Sequence, residues 1–419
     1  RLSLVGSEMC IRDRFPTVLT FAAVSLAFMG PGQRWDEALA ANKWYVLIVV
    51  LCVYWAATLL NLRGMKTSAG VTKWGTIIGT IVPGAILILL GLGYWAGGNP
   101  ILLDMSWDKL VPDMSNFNNL VLAASIFLFY AGMEMSAVHV KDVDNPGRNY
   151  PLAILISAII TVLIFVLGTL AIGFIIPNSQ INLVQSLLIT YDSYFSFFGL
   201  GWMNWILALA LAVGVLAQVT AWVGGPSKGL YQVGLAGNLP PVMQKRNKNN
   251  VQMGILLIQG GIVTLLSIMF VIMPSVQSAY QIISQLTIIL YLIMYMLMFA
   301  SGIYLRYREP NTPRTFRIPG GRTFGMWVVG GLGLLASLAA FLVSFIPPNQ
   351  ITVGSSTMYV LLLVVGTFIF AGIPFIIHAM AKPSWKRPVD PEDAFEPFGW
   401  EKSNGSHSAA TPSHSISHE

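Results

Sequence analysis

Residues Asn118–Pro151 read NNLVLAASIFLFYAGMEMSAVHVKDVDNPGRNYP. The stretch Leu120–Phe129 is apolar apart from Ser125, and Tyr130-Ala131-Gly132-Met133-Glu134 then interrupts it. Gly132 lowers helix propensity and lets another backbone approach closely. Glu134 places a carboxylate inside a run long enough to cross a hydrocarbon core. On either side of this segment the pattern repeats. Ten apolar runs are predicted at 15–30, 44–62, 73–96, 118–139, 151–176, 199–224, 251–274, 279–305, 324–347 and 356–381. Most reach the ~20 residues that a membrane-spanning helix needs. Any one run could be a buried core helix, but ten in succession imply an all-α polytopic membrane protein.

Composition agrees. Of 419 residues, 55% are hydrophobic and 10% charged, with mean hydropathy +0.68. A soluble domain averages ~25% charged residues, so a soluble enzyme, a nucleic-acid binder and a disordered chain are all excluded. The net charge of +6 has a topological origin. Eighteen of the 24 Lys and Arg residues fall in the tail and in the loops after the even-numbered runs, among them Lys66, Lys141, Lys228, Lys245, Arg246 and Arg314. Only Arg34, Lys43 and Lys109 fall on the opposite side. The positive side is expected to be cytoplasmic, and the C-terminus with it. Cys10 and Cys52 give neither a disulfide framework nor a metal-ligand spacing.

Of the 18 acids, Glu134 is the one that falls inside a predicted span. A charge there costs on the order of 3 kcal/mol on insertion scales, and such groups usually face a cavity or a partner. A Gly-interrupted apolar segment at mid-membrane points to a transporter's binding site. The freed backbone N–H and C=O groups at the break can take the two ends of an amino acid. The alternative is that Glu134 only satisfies backbone groups at the break. His139, five residues on, reads as an interface residue rather than a proton relay. Gln218 and Trp222 are four apart on the sixth run, and Tyr291 and Tyr295 four apart on the eighth, so each pair shares a helix face. Such pairs line a cavity or simply pack. The sequence RIPGGR at 317–322 reads as a turn. With no catalytic triad, metal-ligand cluster or phosphate-binding loop legible, no cofactor, no metal and no enzymatic activity are expected. A membrane-embedded enzyme would need several catalytic groups at one depth, and a channel would favour rings of like residues.

VKDVDNPGRNYP at 140–151 resembles the segment after helix 6 of bacterial amino-acid antiporters of the amino acid–polyamine–organocation superfamily. GVLAQVTAWVGGPSKGLYQVGLAGNLPP (214–241), RTFRIPGG (314–321) and SFIPPNQI (344–351) are similar to its glutamate:γ-aminobutyrate antiporters in particular. The resemblance implies a leucine-transporter-like fold of twelve helices. Two inverted five-helix repeats, with helices 1 and 6 broken, are followed by helices 11 and 12. The ten runs then correspond to the end of helix 3 and helices 4–12. Residues 15–99 would be a remnant of the first repeat, 100–310 the second, and 311–381 helices 11 and 12. Helices 1 and 2 would be missing, and with helix 1 half of the substrate site.

The resemblance further implies a secondary amino-acid antiporter of the bacterial inner membrane. It would exchange glutamate for γ-aminobutyrate in acid resistance, or else other neutral or acidic amino acids. Its partners would be small amino acids and the lipid bilayer, with no nucleic acid. By position, Tyr130, Ala131, Gly132 and Glu134 match the broken helix 6, Trp222 a site-lining aromatic of helix 8, and Tyr291 and Tyr295 a helix 10 tyrosine pair. Gln218 departs from that branch, which looks to carry an acid there. The first fourteen residues, RLSLVGSEMCIRDR, show no signal-peptide pattern and resemble translated sequencing-adapter read-through. Residues 382–419 are polar and rich in Ser and His, and are expected to be a disordered cytoplasmic tail. The spacing of His407, His414 and His418 matches no ordinary metal site.

Overall fold

The computed structural model of the chain describes residues 14–27, 37–103, 145–177, 185–311, 323–347 and 355–387, with Gly132 and a few other single positions. Every regular element among these residues is helical. The principal helices are α1 (Arg14–Ala27), α2 (Lys43–Leu62), α3 (Met65–Thr76), α4 (Val82–Ala96), α5 (Pro146–Ile175), α6 (Ser186–Phe197), α7 (Asn204–Val233), α8 (Met253–Ser267), α9 (Val276–Arg308), α10 (Leu332–Val343) and α11 (Ser356–Ala379). Eight stretches of the described residues are long and apolar enough to cross a bilayer: 43–62, 66–96, 147–175, 201–238, 253–272, 276–308, 324–343 and 356–379. Apart from Gly132, the predicted run at 118–139 lies outside the described residues, as do residues 1–13 of the leader and most of the tail.

Local chemistry sets several helix starts. Asn42 caps α2, its Oδ1 accepting from the backbone N–H groups of Trp44 and Tyr45 at 3.0 and 3.2 Å. Ser275 caps α9 by accepting from the Ser278 N–H at 3.1 Å. Hydroxyls inside the helices are satisfied by the preceding turn. Thr58 donates to Tyr54 O, Thr220 to Leu216 O, Ser267 to Val263 O and Thr287 to Ile283 O.

Three elements depart from the sequence reading. Residues 65–72 fall between the second and third predicted runs, yet they are helical and extend the third run back to Met65. Lys66 and Lys73 are tolerated there because the extension leaves both exposed. The sixth run likewise continues past residue 224, through α7 and a π-helical turn at Gly234–Asn238. Helix α6 lies in the stretch between the fifth and sixth runs, where no helix was expected. Its Tyr191 and Tyr194 are buried and donate to Pro83 O at 2.7 Å and Ala171 O at 2.6 Å.

Helix α7 is the hub, packing against α1, α2, α3 and the π-helical turn Ile77–Ile81 that joins α3 to α4. Small residues make these contacts close. A β-carbon at Gly79 would overlap the backbone of Gly214, and one at Gly75 would overlap the Ala217 side chain. In lipid, where apolar surface gives little drive for helix association, such backbone-to-backbone packing holds helices together. Asn61 ties α2 to α7, its Nδ2 donating to Ala57 O and to Thr220 O, both at 3.0 Å. The main apolar core runs through α1, α2, α7, α8, α9 and α11, and a second through α1, α4, α5, α6 and α7. Half of the most apolar window of α9 is buried, against 17% for α11, so α9 is central and α11 peripheral.

Candidate functional site

The centre of α9 meets the middle of α7 through aromatic rings. Tyr291 and Tyr295 are one helical turn apart, with ring centroids at 5.6 Å. Tyr291 packs edge-on against Trp222 of α7, at 6.5 Å and 73°. One turn further along α9, Phe299 extends the series, 6.3 Å from Tyr295. The result is a ladder Trp222–Tyr291–Tyr295–Phe299, with Met294 packed into it. Edge-to-face pairs at such distances contribute ~0.5–1.5 kcal/mol beyond their buried area. Tyr291 is buried, whereas Trp222 and Tyr295 are half-buried and present surface to whatever occupies the space beside them.

The ladder is joined to the predicted break. The backbone N–H of Gly132 donates to the Tyr295 hydroxyl at 3.3 Å. Gly132 has φ of 107°, a region that disfavours any side chain. Non-helical backbone at membrane depth is tolerated where it is buried in protein or lines a cavity. Here a tyrosine hydroxyl takes up one of its N–H groups. Tyr130, Ala131, Glu134 and His139 lie outside the described residues.

Gln218 has different surroundings. Although one turn from Trp222, its exposed amide lines a separate cavity of about 340 Å³ between α1, α4, α5 and α7. Phe21, Pro83, Leu87 and Tyr191 also border that space, which is mainly apolar with Thr80 and Thr169 as further polar groups. Spacing alone had placed Gln218 and Trp222 on one face. The helix lies against several neighbours, so the two side chains meet different walls. One contributor escaped the sequence reading. Phe299 continues the four-residue spacing of Tyr291 and Tyr295, a signal present in the pattern.

The sequence profile of the amino acid permease family matches residues 15–370. The chain belongs to the amino acid permease family. This permease is 36% identical over 362 residues to an uncharacterized transporter of Legionella pneumophila, covering 86% of this chain and 76% of that protein. It is 31% identical over 369 residues to a glutamate/gamma-aminobutyrate antiporter of Lactococcus lactis subsp. lactis, covering 87% and 72%. A putrescine transporter of Escherichia coli is 28% identical over 168 residues, covering 39% of the permease and 36% of that protein. The permease is thus a multi-pass helical membrane protein of a transporter family, and these relatives are transporters rather than enzymes.

Proposed function

We propose that the permease is a secondary exchanger of amino acids in a bacterial cytoplasmic membrane, with glutamate against γ-aminobutyrate as the leading pair and the C-terminus cytoplasmic. The observation that carries this reading is the tyrosine–tryptophan ladder joined to Gly132, in a chain similar along most of its length to glutamate/gamma-aminobutyrate antiporters. Trp222 and Tyr295 would line the substrate's path, and Gly132 would hold open the backbone that receives its carboxylate or ammonium group. Glu134, two residues on, would act as gate, proton carrier or organiser of the break. In this reading residues 100–310 form the second of two inverted repeats, and Gln218 tunes the path from the neighbouring cavity.

The test is counterflow. Labelled glutamate should enter liposomes that hold the purified protein and are loaded with γ-aminobutyrate, and should enter empty ones far more slowly. Equal flux into empty liposomes would argue against exchange. A second reading, exchange or import of other neutral or acidic amino acids, is favoured by one residue. Gln218 is neutral where that antiporter branch looks to carry an acid. Competition of labelled glutamate counterflow by a panel of unlabelled amino acids separates the two.

A further inference from the structure

The last turns of α9 bring three exposed side chains onto one face. Tyr304, Tyr307 and Arg308 stand at spacings of three and four. Trp327 joins them from the π-helical turn Trp327–Gly331 that precedes α10, its Nε1–H donating to the Tyr307 hydroxyl at 2.7 Å. That bond does not bury the pair, for Tyr307 remains 58% and Trp327 51% exposed. The two segments approach closely beside it, where a β-carbon at Gly302 would overlap the Met326 side chain. The tyrosine and the tryptophan therefore form one platform tied across two elements.

Position and charge say what covers this platform. The apolar stretches 276–308 and 324–343 end and begin here. The rings thus lie at the edge of the hydrocarbon layer, where Tyr and Trp gather with their polar tips towards water. Residues 304–327 hold five arginines, Arg306, Arg308, Arg314, Arg317 and Arg322, against one acid, Glu309, an excess of four positive charges whichever arginine pairs with it. Arg314 closes the end of α9, its Nη2 donating to Glu309 O at 2.7 Å and to Leu305 O at 3.3 Å. It serves the helix terminus, whose carbonyls favour a cation. Arg306 and Arg308 project from the last turn itself. An acidic protein or a nucleic acid would meet the arginines and leave the rings against lipid. A phospholipid meets both, its phosphate beside the arginines and its glycerol and upper chains against the rings.

We propose that Tyr304, Tyr307 and Trp327, with Arg306 and Arg308, form a binding site for an anionic phospholipid of the surrounding membrane. Juxtamembrane arginines attract such headgroups, and the aromatic platform gives the lipid a fixed place. The site stands apart from the aromatic ladder and does not depend on the exchange reading.

The test titrates the purified protein, in a non-ionic detergent, with phosphatidylglycerol and follows the thermal midpoint. The anionic lipid should raise the midpoint of the wild type, and phosphatidylethanolamine should not. In the double variant Arg306→Gln, Arg308→Gln the half-saturating phosphatidylglycerol should rise on the order of tenfold. Arg308→Gln alone, at an exposed position, should raise it about threefold, and it carries the test if the double variant does not fold. Trp327→Leu keeps every charge and should also weaken the lipid's effect. The control variant Lys66→Gln, Lys73→Gln removes two exposed charges from the same expected face and should change the half-saturation by less than about twofold. An equal loss in that control would assign the effect to general surface charge and overturn the proposal. An unchanged Trp327→Leu titration would overturn the aromatic platform, and absence of any phosphatidylglycerol effect on the wild type would overturn the site as a whole. Soluble glycerol 3-phosphate is the last arm. If it protected the wild type as well as the lipid does, the arginines would hold a small phosphate and not a phospholipid.

Discussion

Tyr295 combines ring contacts with Tyr291 and Phe299 with acceptance of the Gly132 N–H. Tyr295→Phe keeps the ring and removes the acceptor. A hydrogen bond of this kind contributes about 0.5–1.5 kcal/mol net. Counterflow through the variant should therefore lose about two- to tenfold in kcat/KM while expression holds. Unchanged kinetics would make the hydroxyl incidental. Trp222→Ala removes the α7 end of the ladder and should cost more than Trp222→Phe, which leaves a ring for Tyr291 to meet. Glu134 is read from the sequence as the one acid inside a span. Glu134→Gln should change the pH profile of transport between pH 5 and 8 with little effect on expression, and an unaltered profile would return the residue to satisfying local backbone. The conformation of Gly132 and the meeting of aromatics along α9 follow from patterns legible in the chain, a glycine inside an apolar run and aromatics spaced by four, because both are local. The partners were not legible. That the Tyr295 hydroxyl meets Gly132, or that Gln218 faces another cavity than Trp222, depends on how helices distant in sequence cross.

Helix α7 is held by glycines, and it is here that packing has least slack. Gly214→Val would force a branched side chain into the backbone of Gly79. Overpacking costs typically ~1–3 kcal/mol where neighbours can shift, and backbone can shift least. The variant should express poorly and unfold several degrees lower in detergent, whereas Gly261→Ala, where a β-carbon meets open space, should behave as wild type apart from its higher helix propensity. Helix α6 adds a pH-dependent element outside the spans. Burial pushes the Tyr191 hydroxyl well above its ordinary range. The folded protein thus holds this proton more tightly than the unfolded chain, whose tyrosines titrate near ~10. Its contribution is complete below that value and is lost as pH rises beyond it. The thermal midpoint should therefore fall above about pH 10, and Tyr191→Phe should start lower yet fall less steeply over the same range. An identical alkaline fall would place the sensitivity elsewhere. The sequence announced the long helices because apolar runs of that length have few other solutions. It did not announce α6 or the helical extension at 65–72. Both are short and polar enough to read as loop, and tertiary contacts, such as the bond from Tyr191 to Pro83, give α6 its place.

At the scale of the whole molecule, charge and geometry make independent statements about sidedness. The Lys and Arg count assigns the loops after the even-numbered runs, together with the tail, to one face. The structure draws three of those segments together without reference to charge. Asn247 Nδ2 donates to Leu62 O at 2.7 Å, joining the connection after α7 to the end of α2. Gln244 Nε2 donates to Trp385 O at 2.9 Å and to Leu239 O at 2.7 Å, joining that same connection to the segment after α11. The ends of α2, α7 and α11 therefore share a face, as four crossings between α2 and α7, counting the run predicted from sequence at 118–139, would require. Chemical labelling can tell which face this is. In a background with Cys10→Ser and Cys52→Ser, Lys248→Cys and Lys386→Cys should react with a membrane-impermeant maleimide in inside-out vesicles and resist it in intact cells. Ser355→Cys, at the start of α11, should do the reverse. If Lys248→Cys and Lys386→Cys reacted from opposite sides, the bond between Gln244 and Trp385 could not exist in the membrane. If both reacted from outside, the charge rule would have assigned the faces wrongly.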